Sequence, residues 1–170
     1  MLLQKRFLKS AYIKRNYFKP MMLIFYKLNL WLILFSGYDA FSLSHPWDDL
    51  ETQIFQYVNE DRKIHNLSPL SLNEMESSLA LKHSQNMASG KVQFGHDGFN
   101  SRAKTIQKSL GSVEIGENVA SGQETAREIV DGWLNSPGHK KNIEGNFTLT
   151  GIGYARNKKG VIYITQIFSR

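Results

Sequence analysis

WLNSPGHKKNI, running from Trp133 to Ile143, closes one helical stretch and opens another. A residue preceding proline is pushed out of the helical region, so the stretch ending in Trp133 and Leu134 must stop before Ser136-Pro137. Pro137 suits the first position of a new helical turn, with Ser136 as its N-cap and His139 inside it. Upstream, Ala126, Ile129, Val130, Trp133 and Leu134 share a face opposite Arg127, Glu128 and Asp131, and Ser121 with Glu124 has the pattern of a capping box opening that helix. Downstream, Phe147 to Arg156 and VIYITQIF (161–168) flank the turn Asn157-Lys158-Lys159-Gly160 as a hairpin. The second strand is apolar on both parities and needs cover on both faces, which implies helices on either side of a small sheet.

Before this stretch lies VEIGENVASG (113–122). In an extended chain Val113, Ile115 and Val119 share a parity with Glu117, whereas Glu114 points the other way. A carboxylate directed inward is costly unless paired, so Glu117 is expected to have partners. FGHDGF (94–99) reads as a glycine-rich loop with His96 near its centre, after which Asn100 opens a short helix with Ala103, Ile106 and Leu110 inward. Further upstream, Leu50, Ile54, Tyr57 and Val58 mark the first amphipathic helix, begun at Ser44 and ended by Asn66 in a left-handed conformation, with Asn59 to Arg62 read as a solvated charged face. A Ser68-Pro69-Leu70 link leads to an Asn73/Glu76 capping box and a helix carrying Met75, Leu79, Ala80, His83 and Met87 along one stripe, stopped by Gly90. His83 is expected to be buried and satisfied by a hydrogen bond.

The 170 residues suit one domain with an N-terminal appendage. The net charge of +6 is unevenly placed: residues 1–40 hold seven Lys or Arg against one acid, and the remainder has 14 of each sign. A domain without excess charge lacks the electrostatic footprint of a nucleic-acid binder, so no nucleic-acid partner is expected. The basic N-terminal stretch precedes an apolar segment, Met21 to Ser36, interrupted by Lys27 and Asn29. Its unbroken apolar piece, Leu30 to Phe35, is short for a bilayer span, which takes roughly 20 residues. Residues 1–42 therefore read as a signal peptide cleaved after Ser42 or as an uncleaved membrane anchor, and 43–170 as the domain. Either places the domain outside the cytoplasm, with membrane contact only through an uncleaved N-terminus. Cysteine is absent, which removes disulfides, thiolate metal sites and a cysteine nucleophile. Asn66-Leu67-Ser68 and Asn146-Phe147-Thr148 are glycosylation-type triplets of low specificity.

Taken together and in order, FGHDGF, IGENVASG, IVDGWLNSPGHKKNI, TGIGYA and YITQIF resemble the CAP superfamily, whose unit is also called the SCP domain and which includes cysteine-rich secretory, antigen 5 and plant pathogenesis-related proteins. The likeness spans Leu50 to Phe168, includes NEDR (59–62) and HSQNM (83–87), and in its lack of cysteine looks like a bacterial branch. It implies an α+β fold, a three-layer α-β-α sandwich with a small, mainly antiparallel sheet, and a cleft lined by two histidines and two acids. On this chain those positions fall on His96, Glu117 and His139, with Ser136 standing where many members have the second acid.

Three expectations follow for the cleft. His96, Glu117 and His139 are suitable ligands for a divalent metal such as zinc, with an open position for chemistry. Ser136 and His139 form a candidate nucleophile and base, though Ser136 has a capping role and no third residue orients the base. The favoured expectation is a hydrogen-bonded polar network in which Glu117 holds His139 or His96. The corresponding function is a non-enzymatic, exported domain binding a small-molecule, lipid or protein ligand through a cleft of His96, Glu117, Ser136 and His139. The alternative is a metal-dependent hydrolase of peptide or cell-wall material using His96, Glu117 and His139.

Overall fold

The computed structural model describes residues 50–112 and 114–170. The expectations on residues 1–42, the cap at Ser44, and Val113 fall outside them. The order is α1 (Leu50–Ile64), β1 (Ser71–Leu72), α2 (Glu74–Ala88), α3 (Phe99–Leu110), β2 (Ile115–Ser121), α4 (Ala126–Leu134), α5 (Pro137–Ile143), β3 (Leu149–Arg156) and β4 (Ile162–Ser169). The strands form one sheet in the order β1-β3-β4-β2, antiparallel apart from β1 against β3. No helix among the described residues is long and apolar enough to cross a membrane.

Alternation along the strands sorts the core into two layers. Ile162, Ile164 and Phe168 of β4, Ile152 of β3 and Ala120 of β2 pack with Ile54 and Val58 of α1, with Ile129, Val130 and Trp133 of α4, and with Ile143 of α5. Ile167 takes the opposite face with Ala80 of α2 and Ile106 of α3. β4 is thus covered on both sides, as its apolar composition requires, and the fold is an α+β sandwich with the sheet as its middle layer. The hairpin turn is held as its composition suggests: the Asn157 side chain accepts from the backbone N–H groups of Lys159 and Val161, and Gly160 adopts φ 82°. α2 lies so close to β3 that a Cβ on Gly151 would strike the backbone of Glu76 and Ser77, and one on Gly153 the backbone of Leu81.

Several local expectations are corrected. The helix α4 is capped by Thr125, not Ser121, with Glu128 completing the box. Ser121 is still the last residue of β2, and the chain needs Gly122, at φ 91°, to leave the sheet first. Asn73 caps α2 as expected, but Glu76 does not reciprocate: it turns into the core and takes a place on the inner face with Ala80, His83, Ser84 and Met87. Leu110, expected inward, is 39% exposed, and Ile106 is the one buried residue of α3. Residues 71 and 72, which follow the expected link, form β1.

The largest correction concerns the charged end of α1. Arg62 is buried and its guanidinium donates to four backbone carbonyls: Ser68 (2.8 Å), Ile143 (2.7 Å), Gly145 (2.8 Å) and Phe147 (3.1 Å). Asn59 exchanges two hydrogen bonds with the backbone of Leu70. The end of α1 therefore fastens both the turn that follows it and the connection from α5 to β3. Asn66 closes the helix at φ 58°, as expected. Replacing Arg62 with Ala strands carbonyls away from water, and by denaturant unfolding the loss is expected to be at least about 3 kcal/mol; a loss below about 1 kcal/mol would show the carbonyls satisfied without it.

Glu76 is fully buried, and neither carboxylate oxygen has a donor in hydrogen-bonding geometry. Burial raises its pKa above the ordinary glutamate range, and the neighbouring Ser169 hydroxyl only partly offsets this. A carboxyl whose folded pKa is raised contributes most stability below its unfolded pKa and loses that contribution as pH rises through the folded value. Glu76→Gln is therefore expected to raise the melting temperature at alkaline pH and to flatten the decline as pH rises above the ordinary glutamate range, and an unchanged pH profile would refute this assignment.

Candidate functional site

β2 is an edge strand, and the site is built along it. Glu117 projects toward the α2/α3 layer, and its side chain is only 1% exposed. Arg102 on α3 binds it through two bonds, Nε to Oε2 and Nη2 to Oε1, each 2.7 Å, while its Nη1 donates to the carbonyl of Asp97 at 2.8 Å. His96 lies 3.0 Å away, Nδ1 to Oε1. Because a carboxylate oxygen accepts, Nδ1 carries the hydrogen, and Nε2 has no protein partner among the described residues. The inward acid is thus paired, as its parity demanded, but its main partner is a guanidinium that periodicity and motif do not single out.

The FGHDGF loop is held from two sides. Buried His83 on α2 donates Nε2–H to the carbonyl of Gly95 at 2.8 Å, which fulfils the expectation of a satisfied histidine. Burial lowers the His83 pKa more than this hydrogen bond raises it, and the positive charge of Arg102 lowers it further. Phe94 meets Tyr163 of β4 edge-on, with ring centroids 6.3 Å apart. Residues 93–100 enclose a polar depression of about 550 Å³ that includes His96. A larger groove of about 1000 Å³ adjoins it across Phe99 and runs between α3 and α5, past Ile115, Lys140 and Phe147, away from the histidines.

α5 brings His139 to the same edge. Asn142 donates to the carbonyl of Glu117 (3.1 Å) and to the Asn118 side chain (2.8 Å), Asn118 donates to the carbonyl of His139 (3.1 Å), and Trp133 Nε1 donates to the carbonyl of Val119 (3.1 Å). These four side-chain bonds pin α4 and α5 to the outer edge of β2. Gly116 permits the approach, since a Cβ there would lie 2.9 Å from Asn142 Oδ1. Ser136 occupies the N-cap of α5 with Pro137 behind it, but its hydroxyl makes no capping bond.

Of the residues singled out from sequence, His96 and Glu117 are in direct contact. His139 is near enough to His96 for a charge there to oppose its protonation, although burial is the larger cause of its lowered pKa. Among the described residues, Ser136 makes no hydrogen bond to the His139 ring. The set does not fit a metal as it stands: Arg102 and His96 occupy both oxygens of Glu117. Moreover, the group of three ligand atoms that converges within 4.8 Å among the described residues is Asp61, His65 and Glu144, elsewhere on the protein. With its pKa lowered, His139 is neutral at pH 7, and its imidazole resonances in a proton NMR titration are expected to shift with a midpoint below the usual 6.5; a midpoint at or above that value would contradict the burial seen here.

Comparison with known proteins identifies the family. Residues 55–168 match the family described as CAP, Cysteine-rich secretory protein family. The chain is 36% identical over 124 residues to YkwD of Bacillus subtilis (strain 168), covering 71% of this chain and 47% of that protein. An extracellular protein containing a SCP domain from Bacillus anthracis superposes with a TM-score of 0.58 at 31% identity, over 71% of this chain and 40% of that one. An outer surface protein from Borrelia burgdorferi shares the fold at 20% identity, with a TM-score of 0.60 over 72% of this chain and 95% of that one. The chain spans less than half the length of YkwD. With a matched stretch running from α1 through β4, the chain belongs to the CAP family of cysteine-rich secretory protein type.

Proposed function

We propose that this is an exported CAP domain that binds a hydroxyl-rich ligand, such as the saccharide of a surface polymer, without transforming it. The observation that carries this is the state of Glu117: both oxygens are committed to Arg102 and His96. A carboxylate whose two oxygens already accept from a bidentate guanidinium and an imidazole is poorly placed to take a metal as well, so its role is to orient His96. What remains available is the outer nitrogen of His96, whose side chain is 50% exposed, and the neutral ring of His139. Around His96, Gln93, Asp97 and Asn100 alternate with Phe94 and Phe99, a mixture of hydrogen-bonding groups and aromatic faces that suits a hydroxylated ring. Export is supported by the basic, then apolar, N-terminal sequence and by the extracellular relative from Bacillus anthracis.

The test is a titration of the purified protein with saccharide, lipid and peptide probes, read at the His96 and His139 imidazole resonances. Saccharide is expected to shift both, His96→Ala is expected to weaken binding by about tenfold, the equivalent of one good hydrogen bond, and the saccharide is expected to be recovered unchanged. Cleavage of the probe would instead favour the hydrolase built on His96, Glu117 and His139, and lack of any shift with saccharide would end the proposal.

A further inference from the structure

Beyond the C-terminal end of α5, away from Ser136, three potential ligands meet that have no part in the cleft. Asp61 comes from the last turn of α1, His65 follows that helix, and Glu144 is the C-cap of α5. One ligand atom from each lies within 4.8 Å of the other two, the one such group among the described residues. Ligand atoms around a tetrahedral zinc stand about 3.3 Å apart for bonds of about 2.0 Å, so small side-chain movements close the set.

Two independent features point to a cation here. The Asp61 side chain is only 12% exposed, and its Oδ2 is closed off from solvent with no hydrogen-bond donor; Glu144 Oε1 is likewise enclosed with none in bonding geometry. Buried anionic oxygens without donors are costly, and a bound ion or water is the usual remedy. The second feature is the placement of His65. Its Nδ1 donates to the carbonyl of Asp61 at 2.9 Å, and this turns Nε2 toward Glu144 Oε1, 3.4 Å away, without a hydrogen bond between them. Lys140 Nζ lies 3.5 Å from the same oxygen, but its side chain is 43% exposed. Arg62 is adjacent to Asp61 in sequence, yet its guanidinium is spent on the four carbonyls.

We infer that Asp61, His65 and Glu144 form a divalent-cation site of zinc type that clips the end of α1 to the end of α5. One imidazole and two carboxylates are a donor set that zinc accepts, and a fourth position stays open to water, His65 being 44% exposed. The clip grips the far end of the helix that carries His139, so it stabilises the arm on which the cleft depends without touching the cleft. It stands whether or not a saccharide binds there.

The experiment uses the full chain, stripped with chelator and titrated with zinc chloride by calorimetry, with melting temperature followed in parallel. One zinc per chain and a raised melting temperature are expected. His65→Ala and Glu144→Gln, both at solvent-accessible side chains and checked for folding by circular dichroism, are each expected to weaken binding at least tenfold, while the double variant His96→Ala, His139→Ala binds as the parent does. Absence of zinc binding, binding that survives both His65→Ala and Glu144→Gln, or binding lost only in the His96 and His139 variant would each overturn the assignment.

Discussion

The pairing of Glu117 with Arg102 governs the functional edge of this domain. A carboxylate that faces inward from an edge strand cannot stay uncompensated, and the guanidinium from α3 meets it with two charge-assisted hydrogen bonds. The same arginine reaches the carbonyl of Asp97, so one side chain ties the loop that carries His96 to the strand that carries Glu117. His96 then takes its orientation from an oxygen already fixed in place. Breaking a buried pair of this kind costs about 3–5 kcal/mol, far more than the worth of an exposed ion pair. The strand and the FGHDGF loop are therefore held together from the α3 side.

The opposite wall is fixed by neutral groups. Asn118, Asn142 and Trp133 spend their donors on carbonyls and on each other, holding α4 and α5 to the free edge of β2. An edge strand whose outward carbonyls are taken by side chains is also a poor template for pairing with another chain. Sheet protection and placement of His139 are achieved by the same few bonds.

Much of this was legible in the sequence because it follows from period and parity. The hairpin, the two-sided burial of β4 and the inward aim of Glu117 are all consequences of a two-residue repeat, and the break at Ser136-Pro137 follows from proline sterics. What was not legible depends on distance through space. Arg102 stands 15 residues from Glu117 on a helix that also carries Lys104 and Lys108, and only the demand of an inward acid for a cation, together with the nearness of Arg102 to the FGHDGF loop, marks it. Arg62 offered a clearer signal that was outweighed by its charge: it continues the four-residue spacing of Ile54 and Val58, the inward stripe of α1. The α4 cap was ambiguous because Ser121 and Thr125 each precede a glutamate by three residues, and only the length of β2 decides between them. Ser136 kept its predicted position but not a bond, and its hydroxyl has no part in the polar network that the structure does contain.

Arg62 has one more consequence. Three of its four bonds join positions 81 to 85 residues apart in the chain, a long-range tie of the kind that small secreted domains often make with a disulfide. This chain has no cysteine, and the non-covalent tie forms without an oxidant or a folding catalyst for thiols. The architecture consequently holds no bond that a reductant could open, and this tie is as available in reducing surroundings as in oxidising ones.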